Sequence, residues 1–301
     1  MLSGKTFFVT GSTGRLGVET VHRLEELNAT VVPLVLGNYT LKPKRVTWKA
    51  KCTPIKINNI DDLNKLPKPD YVINFHWQID RKLTYTKKLT YEIDNNINQI
   101  AFMWDWLLDK SFQRFINIST IKIFSHLNQF PILADDEPCP VSAYGIAKLA
   151  AEKFFDAYFQ YSSFLVIHLR LCSVTSFGEY PSQLISQLYA SAFKDNRIII
   201  NKGHMTYIIY IDEVVDLIIN AALIAKKKRY IITTSGLTTN KIASKFVKIS
   251  GHKINAEYID LDAGRPDLIF ISDIEKLQAR WVRFTTLESA IKKIVELSSH
   301  S

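Results

Sequence analysis

The sequence predicts an α/β protein, a doubly wound parallel sheet with a smaller α/β lobe toward the C-terminus. Three observations predict it. Short β-rich runs alternate with helical patterns through the first half of the chain, the order of βαβ units. Most of those runs are continuously apolar, as strands buried on both faces of a parallel sheet are. A glycine-spaced turn then joins the first strand to the first helix, where such sheets place their ligand loops.

In chain order, strands are expected at residues 6–10, 30–36, 54–57, 71–75, 114–119 and 164–171. Most are bounded by Gly, Asn, Pro or Asp, the residues that punctuate strands. Helices are expected at 18–27, where Val21, Leu24 and Leu27 recur along one face, at 91–108 and at 143–159. After Leu171 the rhythm changes: loops lengthen over 172–182, and helices alternate with short strands such as 230–233. The expected division is a sheet domain over 1–176 and a substrate lobe over 177–301, with some later segments returning to the first domain.

Composition narrows the partners. Of 301 residues, 47% are hydrophobic and 22% charged, enough apolar material for a large core. The runs at 198–200 and 217–224 are too short, or too interrupted by Asn and charge, to span a bilayer. The first strand begins too early for a signal peptide. Cys52, Cys139 and Cys172 are odd in number and far apart, which suits reduced thiols in a cytoplasm and offers no metal cage. The formal charge is +9, but its Lys and Arg are scattered apart from Lys226-Lys227-Lys228-Arg229. That run follows a helical pattern and suits a helix C-terminus. Nucleic acid is therefore not an expected partner, whereas an anionic small substrate is.

Gly11-Ser12-Thr13-Gly14-Arg15-Leu16-Gly17 sits between the first strand and the first helix. Gly11 allows the tight turn, Gly14 lets the backbone approach a pyrophosphate, and Gly17 lets the helix pack closely on the sheet. The helix N-terminus offers N–H groups and partial positive charge to phosphates. This placement predicts a dinucleotide on a Rossmann sheet, held by Gly11, Thr13, Gly14, Arg15, Leu16 and Gly17.

Tyr144-Gly145-Ile146-Ala147-Lys148 places a phenol and an ammonium one turn apart on one helix face. A nearby ammonium favours phenolate, so such a tyrosine can exchange a proton with a substrate oxygen. With 13 tyrosines in a lysine-rich chain, about one such spacing is expected by chance, and its context carries the reading. The approach Asp135-Asp136-Glu137-Pro138, the strand end Ile118-Ser119-Thr120 with Ile123-Phe124-Ser125, the segment Ile208–Val215, and Gly264-Arg265-Pro266-Asp267 with Asp273, Leu277 and Trp281 are ordered along nearly the whole chain. Together with the glycine spacing they resemble the extended short-chain dehydrogenases, the NAD-dependent epimerase/dehydratases. The resemblance implies a nucleotide-sugar substrate, Tyr144 as proton carrier, and Lys148 holding the nicotinamide ribose. It implies Thr120 as the hydroxyl that polarises the substrate oxygen, with Ser119 as the next choice. Asn95 or Asn96 assists, Arg265 and Ser173 contact substrate, and the helices at 91–108 and 143–159, with aromatics that read as exposed, pair in a homodimer.

Four positions depart from that pattern. No acidic residue closes the second strand at Val35-Leu36-Gly37-Asn38 to hold the adenosine ribose of NAD, while Arg15, Lys42, Lys44 and Arg45 suit a 2′-phosphate. The cofactor reads as NADP or NAD, with NADP favoured. His76 and Trp77 stand where the family has small residues, and Ile121 and Lys122 where its dehydratases carry Asp-Glu. Ser173 and Thr206 replace an Asn and an Arg that grip the sugar-nucleotide diphosphate. The reading is an oxidoreductase or epimerase acting by hydride transfer at a sugar carbon, as a 4-keto reductase or 4-epimerase. A non-catalytic dinucleotide sensor, or a carbonyl reductase for a small non-nucleotide substrate, are the alternatives.

Overall fold

The apolar runs do form a parallel sheet. The computed structural model describes residues 2–36, 47–80, 82–176, 183–260, 267–278 and 282–298. Its first six strands are β1 (Thr6–Thr10), β2 (Thr30–Leu36), β3 (Ile55–Ile57), β4 (Tyr71–Asn74), β5 (Arg114–Thr120) and β6 (Leu165–Leu171). Shorter strands follow: β7 (Ser173–Thr175), β8 (Ile198–Asn201), β9 (Met205–Thr206), β10 (Ile208–Tyr210), β11 (Arg229–Ile232), β12 (Leu237–Thr238) and β13 (Ala256–Ile259). The helices are α1 (Arg15–Glu26), α2 (Ile60–Asn64), α3 (Tyr85–Asn96), α4 (Ala101–Leu108), α5 (Ala143–Tyr158), α6 (Leu184–Lys194), α7 (Ile211–Ile224), α8 (Thr239–Ser250) and α9 (Leu287–Ser298).

The main sheet runs β11-β6-β5-β4-β1-β2-β3, with parallel pairing throughout. Chain order reverses between β1 and β4, and ligands of open α/β sheets bind in the crevice beyond such a switch point. Both faces are covered. Val21 and Leu24 of α1 and the apolar face of α7 pack on one side. Leu63 of α2, Trp104 of α4 and Phe155 of α5 pack on the other. β11, though late in the sequence, forms the edge beside β6. The remaining short strands pair as β10 with β7, β12 with β9 and β13 with β8. Asp216 of α7, fully buried, accepts from Nε of Arg23 on α1 and from Nε of Arg283, each at 2.8 Å.

The helix expected over 91–108 is two helices. α3 ends at Asn96, a 3-10 turn covers Asn98–Ile100, and α4 follows. Asn95 Nδ2 donates to Tyr91 O at 2.8 Å and Asn96 Nδ2 to Glu92 O at 2.7 Å. Such back-bonding to carbonyls four residues earlier bends and ends helices. The aromatics of α4 and α5 are also less exposed than the sequence suggests. Trp104, Phe155 and Phe159 are buried against Phe115, with the rings of Trp104 and Phe155 edge-on at 5.0 Å.

A row of polar side chains crosses the sheet in register. Thr10, Asn74, Asn117 and His168 lie opposite one another on β1, β4, β5 and β6. Thr10 Oγ1 donates to Asn74 Oδ1 (2.6 Å), and Asn74 Nδ2 to Asn117 Oδ1 (3.1 Å). Asn117 Nδ2 faces His168 Nδ1 (3.1 Å), which accepts when the ring carries its proton on Nε2. Nε2 then donates to Asp156 Oδ1 of α5 at 3.2 Å, and Asp156 also pairs with Arg229. All four in-register residues are buried and satisfied, as interior polar groups must be.

Candidate active site

The switch point brings the glycine loop to the mouth of the crevice. Gly11 has φ +62° and no room for a side chain: a Cβ there would lie 2.7 Å from the carbonyl carbon of Phe75. At Gly17 a Cβ would meet Gly11 O at 2.4 Å, so α1 starts against the turn itself. Ser12 Oγ anchors the loop to Leu34 O at 3.1 Å. Gly14 is the N-cap and is exposed; it makes no side-chain cap, and the first turn of α1 holds no acid. Thr13 and Gly17 are buried, and Arg15 and Leu16 half-buried. Nη2 of Arg15 donates to Val174 O of β7 at 2.8 Å.

β5 and α5 form the opposite wall. Thr120 closes β5, and its Oγ1 accepts from Lys122 N at 3.2 Å, capping the 3-10 turn Ile121–Ile123. That turn presses on the start of α5: a Cβ at Gly145 would lie 2.2 Å from Lys122 O. Ser142 caps α5 by accepting from Gly145 N at 3.1 Å. Tyr144 therefore leaves the helix beside the end of β5, and Lys148 follows one turn later. Lys148 Nζ donates to Ile118 O at 2.9 Å and lies 6.0 Å from the Tyr144 ring centroid. Burial pushes its pKa down to about 7, with Glu92 and Glu152 opposing. Ser119 points elsewhere, its hydroxyl buried beside the Glu152 carboxylate.

His76 and Trp77 occupy the space between these walls. The Trp77 ring face lies 3.8 Å from Lys148 Nζ, and its ring meets that of Tyr144 edge-on at 6.4 Å. Its Nε1 donates to Glu92 Oε2 at 3.2 Å. Glu92 is fully buried, and burial raises its pKa. His76 is buried with Nε2 3.2 Å from Asn95 O. Burial, aided by the Lys148 charge, lowers its pKa from 6.5 to about 4. Because the folded value is depressed, the unfolded chain binds the extra proton between those limits, and stability falls with pH through that window. At pH 5 the loss from this residue is expected to be about 2 kcal/mol. Unfolding free energies from urea titrations at pH 7 and 5 should differ by that much more in the wild type than in His76→Gln.

Comparison with known proteins fits this geometry. The family model described as NAD dependent epimerase/dehydratase family matches residues 7–232. The chain belongs to that family. No curated protein sequence matches it. Among solved structures, this epimerase/dehydratase family member is similar to a UDP-glucose 4-epimerase from the hyperthermophilic eubacterium Thermotoga maritima, at 20% identity over 98% of this chain and 99% of that one, with a TM-score of 0.82. It is also similar to a UDP-N-acetylglucosamine 4-epimerase from Methanobrevibacter ruminantium M1, at 18% identity over the whole of both chains and a TM-score of 0.80. A third is MoeE5 in complex with UDP-glucose and NAD, at 18% identity over 99% of each chain and a TM-score of 0.78.

In this epimerase/dehydratase family chain, Thr120, Tyr144 and Lys148 lie at one end of the sheet, and Ser173 follows β6 at that same end, next to the Val174 carbonyl that Arg15 reaches. Ser173 is exposed at the start of β7, its N–H donating to Tyr207 O at 3.1 Å. Thr206 lies in the β9–β12 pair. Arg265, Gly264, Pro266, Trp281, Gly37, Asn38, Lys42, Lys44 and Arg45 lie outside the described residues. Asp273 takes a structural place: its Oδ2 accepts from Ile231 N at 2.9 Å, fastening the chain to β11. Of the helix asparagines, Asn96 is buried and tied to Gln78 and Glu92, whereas Asn95 faces His76 through its carbonyl. Sequence reasoning missed Glu92 and Gly145. Gly145 carried a signal, a glycine inside a helix first turn; Glu92 carried none. No helix among the described residues is long and apolar enough to cross a membrane, and none of their His, Cys, Asp and Glu side chains group as a metal site.

Proposed function

We propose that the protein is an NAD(P)-dependent oxidoreductase or epimerase of nucleotide-linked sugars, working at a sugar carbon as a 4-keto reductase or a 4-epimerase. The observation that carries it is the convergence of Thr120, Tyr144 and Lys148 beside the switch point where the glycine loop opens. The loop fits a dinucleotide: side chains at Gly11 and Gly17 would fill the turn, and the uncapped α1 N-terminus suits a pyrophosphate. Gly11, Thr13, Gly14, Arg15, Leu16 and Gly17 would hold that pyrophosphate, and Lys148 the nicotinamide ribose. Solved relatives act on or bind UDP-sugars, and MoeE5 holds NAD, which supports the substrate and cofactor classes.

A bound nicotinamide supplies or accepts the hydride. Thr120 Oγ1 hydrogen-bonds the substrate oxygen and draws charge from the carbonyl. Tyr144 Oη gives that oxygen its proton on reduction and takes it back on oxidation. The Lys148 ammonium, held on Ile118 O, stabilises the phenolate left behind. With Ile121 and Lys122 in place of an acid pair, 4,6-dehydration is not part of the proposal. Ser173 and Arg265 are assigned to substrate contact. NADP is favoured because the second strand ends without an acid. With Nη2 of Arg15 on Val174 O, we assign the 2′-phosphate to Lys42, Lys44 and Arg45. We further propose a cytoplasmic homodimer paired through the helices at 91–108 (α3 and α4) and 143–159 (α5), with the lobes divided near residue 176.

The test is to incubate the purified protein with NADPH or NADH and a panel of nucleotide 4-keto sugars, and separately with UDP-sugar epimers. Cofactor oxidation identifies the reductase, and epimer exchange without net oxidation the epimerase. Dinucleotide binding with no turnover on any sugar would instead support a non-catalytic sensor, the reading favoured by the Trp77 ring over Lys148. Turnover of small carbonyl compounds alone would support the third reading, motivated by Ser173 and Thr206.

A further inference from the structure

Trp77 stands between the two halves of the site. Gly11 packs against the backbone of Phe75 and His76, within 3 Å of a Cβ position. The next residue reaches the other way, to Lys148 and Tyr144 on α5. A dinucleotide seated on the glycine loop and extending to Lys148 must cross the ground this indole covers. Lys148 has three N–H donors; one goes to Ile118 O, and the ring face lies over the ammonium at 3.8 Å.

The indole is anchored there. Its N–H donates to Glu92 Oε2, and the other carboxylate oxygen of Glu92 is buried without a hydrogen-bond partner. Lys148 lies on the ring face and Glu92 at the ring edge, so the ring bridges two groups of opposite charge. Other titratable groups facing Lys148 are Tyr144 and Glu152 on its own helix and His76 from the β4 end, and Lys88 faces Glu92. Glu152 is committed to Arg170, at 2.7 Å, and burial keeps His76 neutral. A tryptophan face is the best aromatic partner for a cation, and the attraction grows when the cation is desolvated.

We propose that Trp77 governs how a dinucleotide engages this protein: held by Glu92, its indole covers Lys148, and the nicotinamide half reaches Lys148 only by displacing it. The proposal rests on the dinucleotide reading above. It requires that binding of the adenosine half, which ends at the glycine loop, be indifferent to Trp77, while binding of the whole dinucleotide is weakened by it.

Calorimetric titration of the full chain tests this with NAD against ADP, and with NADP against adenosine 2′,5′-bisphosphate. Trp77→Ala is expected to tighten whole-dinucleotide binding about tenfold, equivalent to about 1.4 kcal/mol, and to leave half-ligand affinity unchanged. Glu92→Leu removes the indole's acceptor at little change in volume, so it should shift binding the same way by a smaller factor, and it serves if Trp77→Ala does not fold. If half-ligands bind but both variants leave dinucleotide affinity unchanged or weaker, the inference is overturned and the dinucleotide reading stands. If no ligand of either kind binds wild type or variant, the dinucleotide reading falls and takes the inference with it.

Discussion

Tyr144→Phe is expected to reduce kcat by about 10²- to 10⁴-fold, the usual worth of a positioned proton donor. Its dinucleotide affinity should stay within about twofold of wild type, because the missing oxygen acts on substrate. Phenylalanine keeps the ring that meets Trp77 edge-on, so the wall of the site stays filled. A fall of less than tenfold in single-turnover reduction would remove Tyr144 from the proton path. Lys148→Met provides the contrast. Burial holds this ammonium at about pH 7, below its ordinary 10.5, so the unfolded chain binds the extra proton between those values. Its folding penalty is therefore full below pH 7 and is relieved as pH rises toward 10.5. Lys148→Met should lose turnover and dinucleotide affinity together, yet gain stability at neutral pH, by less than the roughly 4 kcal/mol the shift is worth, because Ile118 O loses its donor.

The largest stability effect is expected at Arg170. This side chain is 1% exposed, and it donates from Nε and Nη2 to the two oxygens of Glu152 at 3.1 and 2.7 Å. Its Nη1 reaches Ala134 O at 2.6 Å, and its guanidinium lies 5.1 Å from the Phe124 ring centroid. Arg170→Met strands a carboxylate in the core, which costs about 3–5 kcal/mol. The double variant Arg170→Met/Glu152→Leu should recover much of that, since the loss comes from the unpaired charge. Burial opposes ionisation of Glu152, but the Arg170 hydrogen bonds outweigh it and hold the carboxyl below its ordinary 4.5. That contribution is complete above pH 4.5 and is lost as pH falls through the folded value. Denaturation midpoints of wild type and Arg170→Met should therefore converge in acid. A gap that persists once the Glu152 carboxyl is protonated in both proteins would mean that packing, and not charge, dominates at this position.

Features with local causes were legible in the sequence. Val9, Val32, Ile73 and Ile116 sit in short apolar runs bounded by turn residues, which read as buried strands, and the glycine loop announces itself by spacing. Tyr144 and Lys148 are four apart on a helix, so their common face follows from helical geometry. What was hidden depends on chain-distant partners. Glu152 and Arg170 look like surface charges until the fold places one on α5 and the other on β6. Trp77 and Glu92 are 15 residues apart on different elements, with no motif to join them. The break after α3 was obscured because apolar spacing runs through it, while the two asparagine amides that bend the chain act through backbone carbonyls. The aromatics of α4 and α5 suggested a partner subunit, and a large share of them face their own sheet.

The polar row across the sheet has a mechanical consequence for the site. Thr10 precedes Gly11 directly, and Asp156, at the row's far end, lies two turns beyond Lys148 on α5. Every donor in the row points the same way, so each bond polarises the next, and sliding β4 or β5 by one residue would bring isoleucine or phenylalanine into the row. The row thus works as an index mark. It gauges the loop against α5. The side chains standing in the gap, Trp77 foremost, belong to no such row.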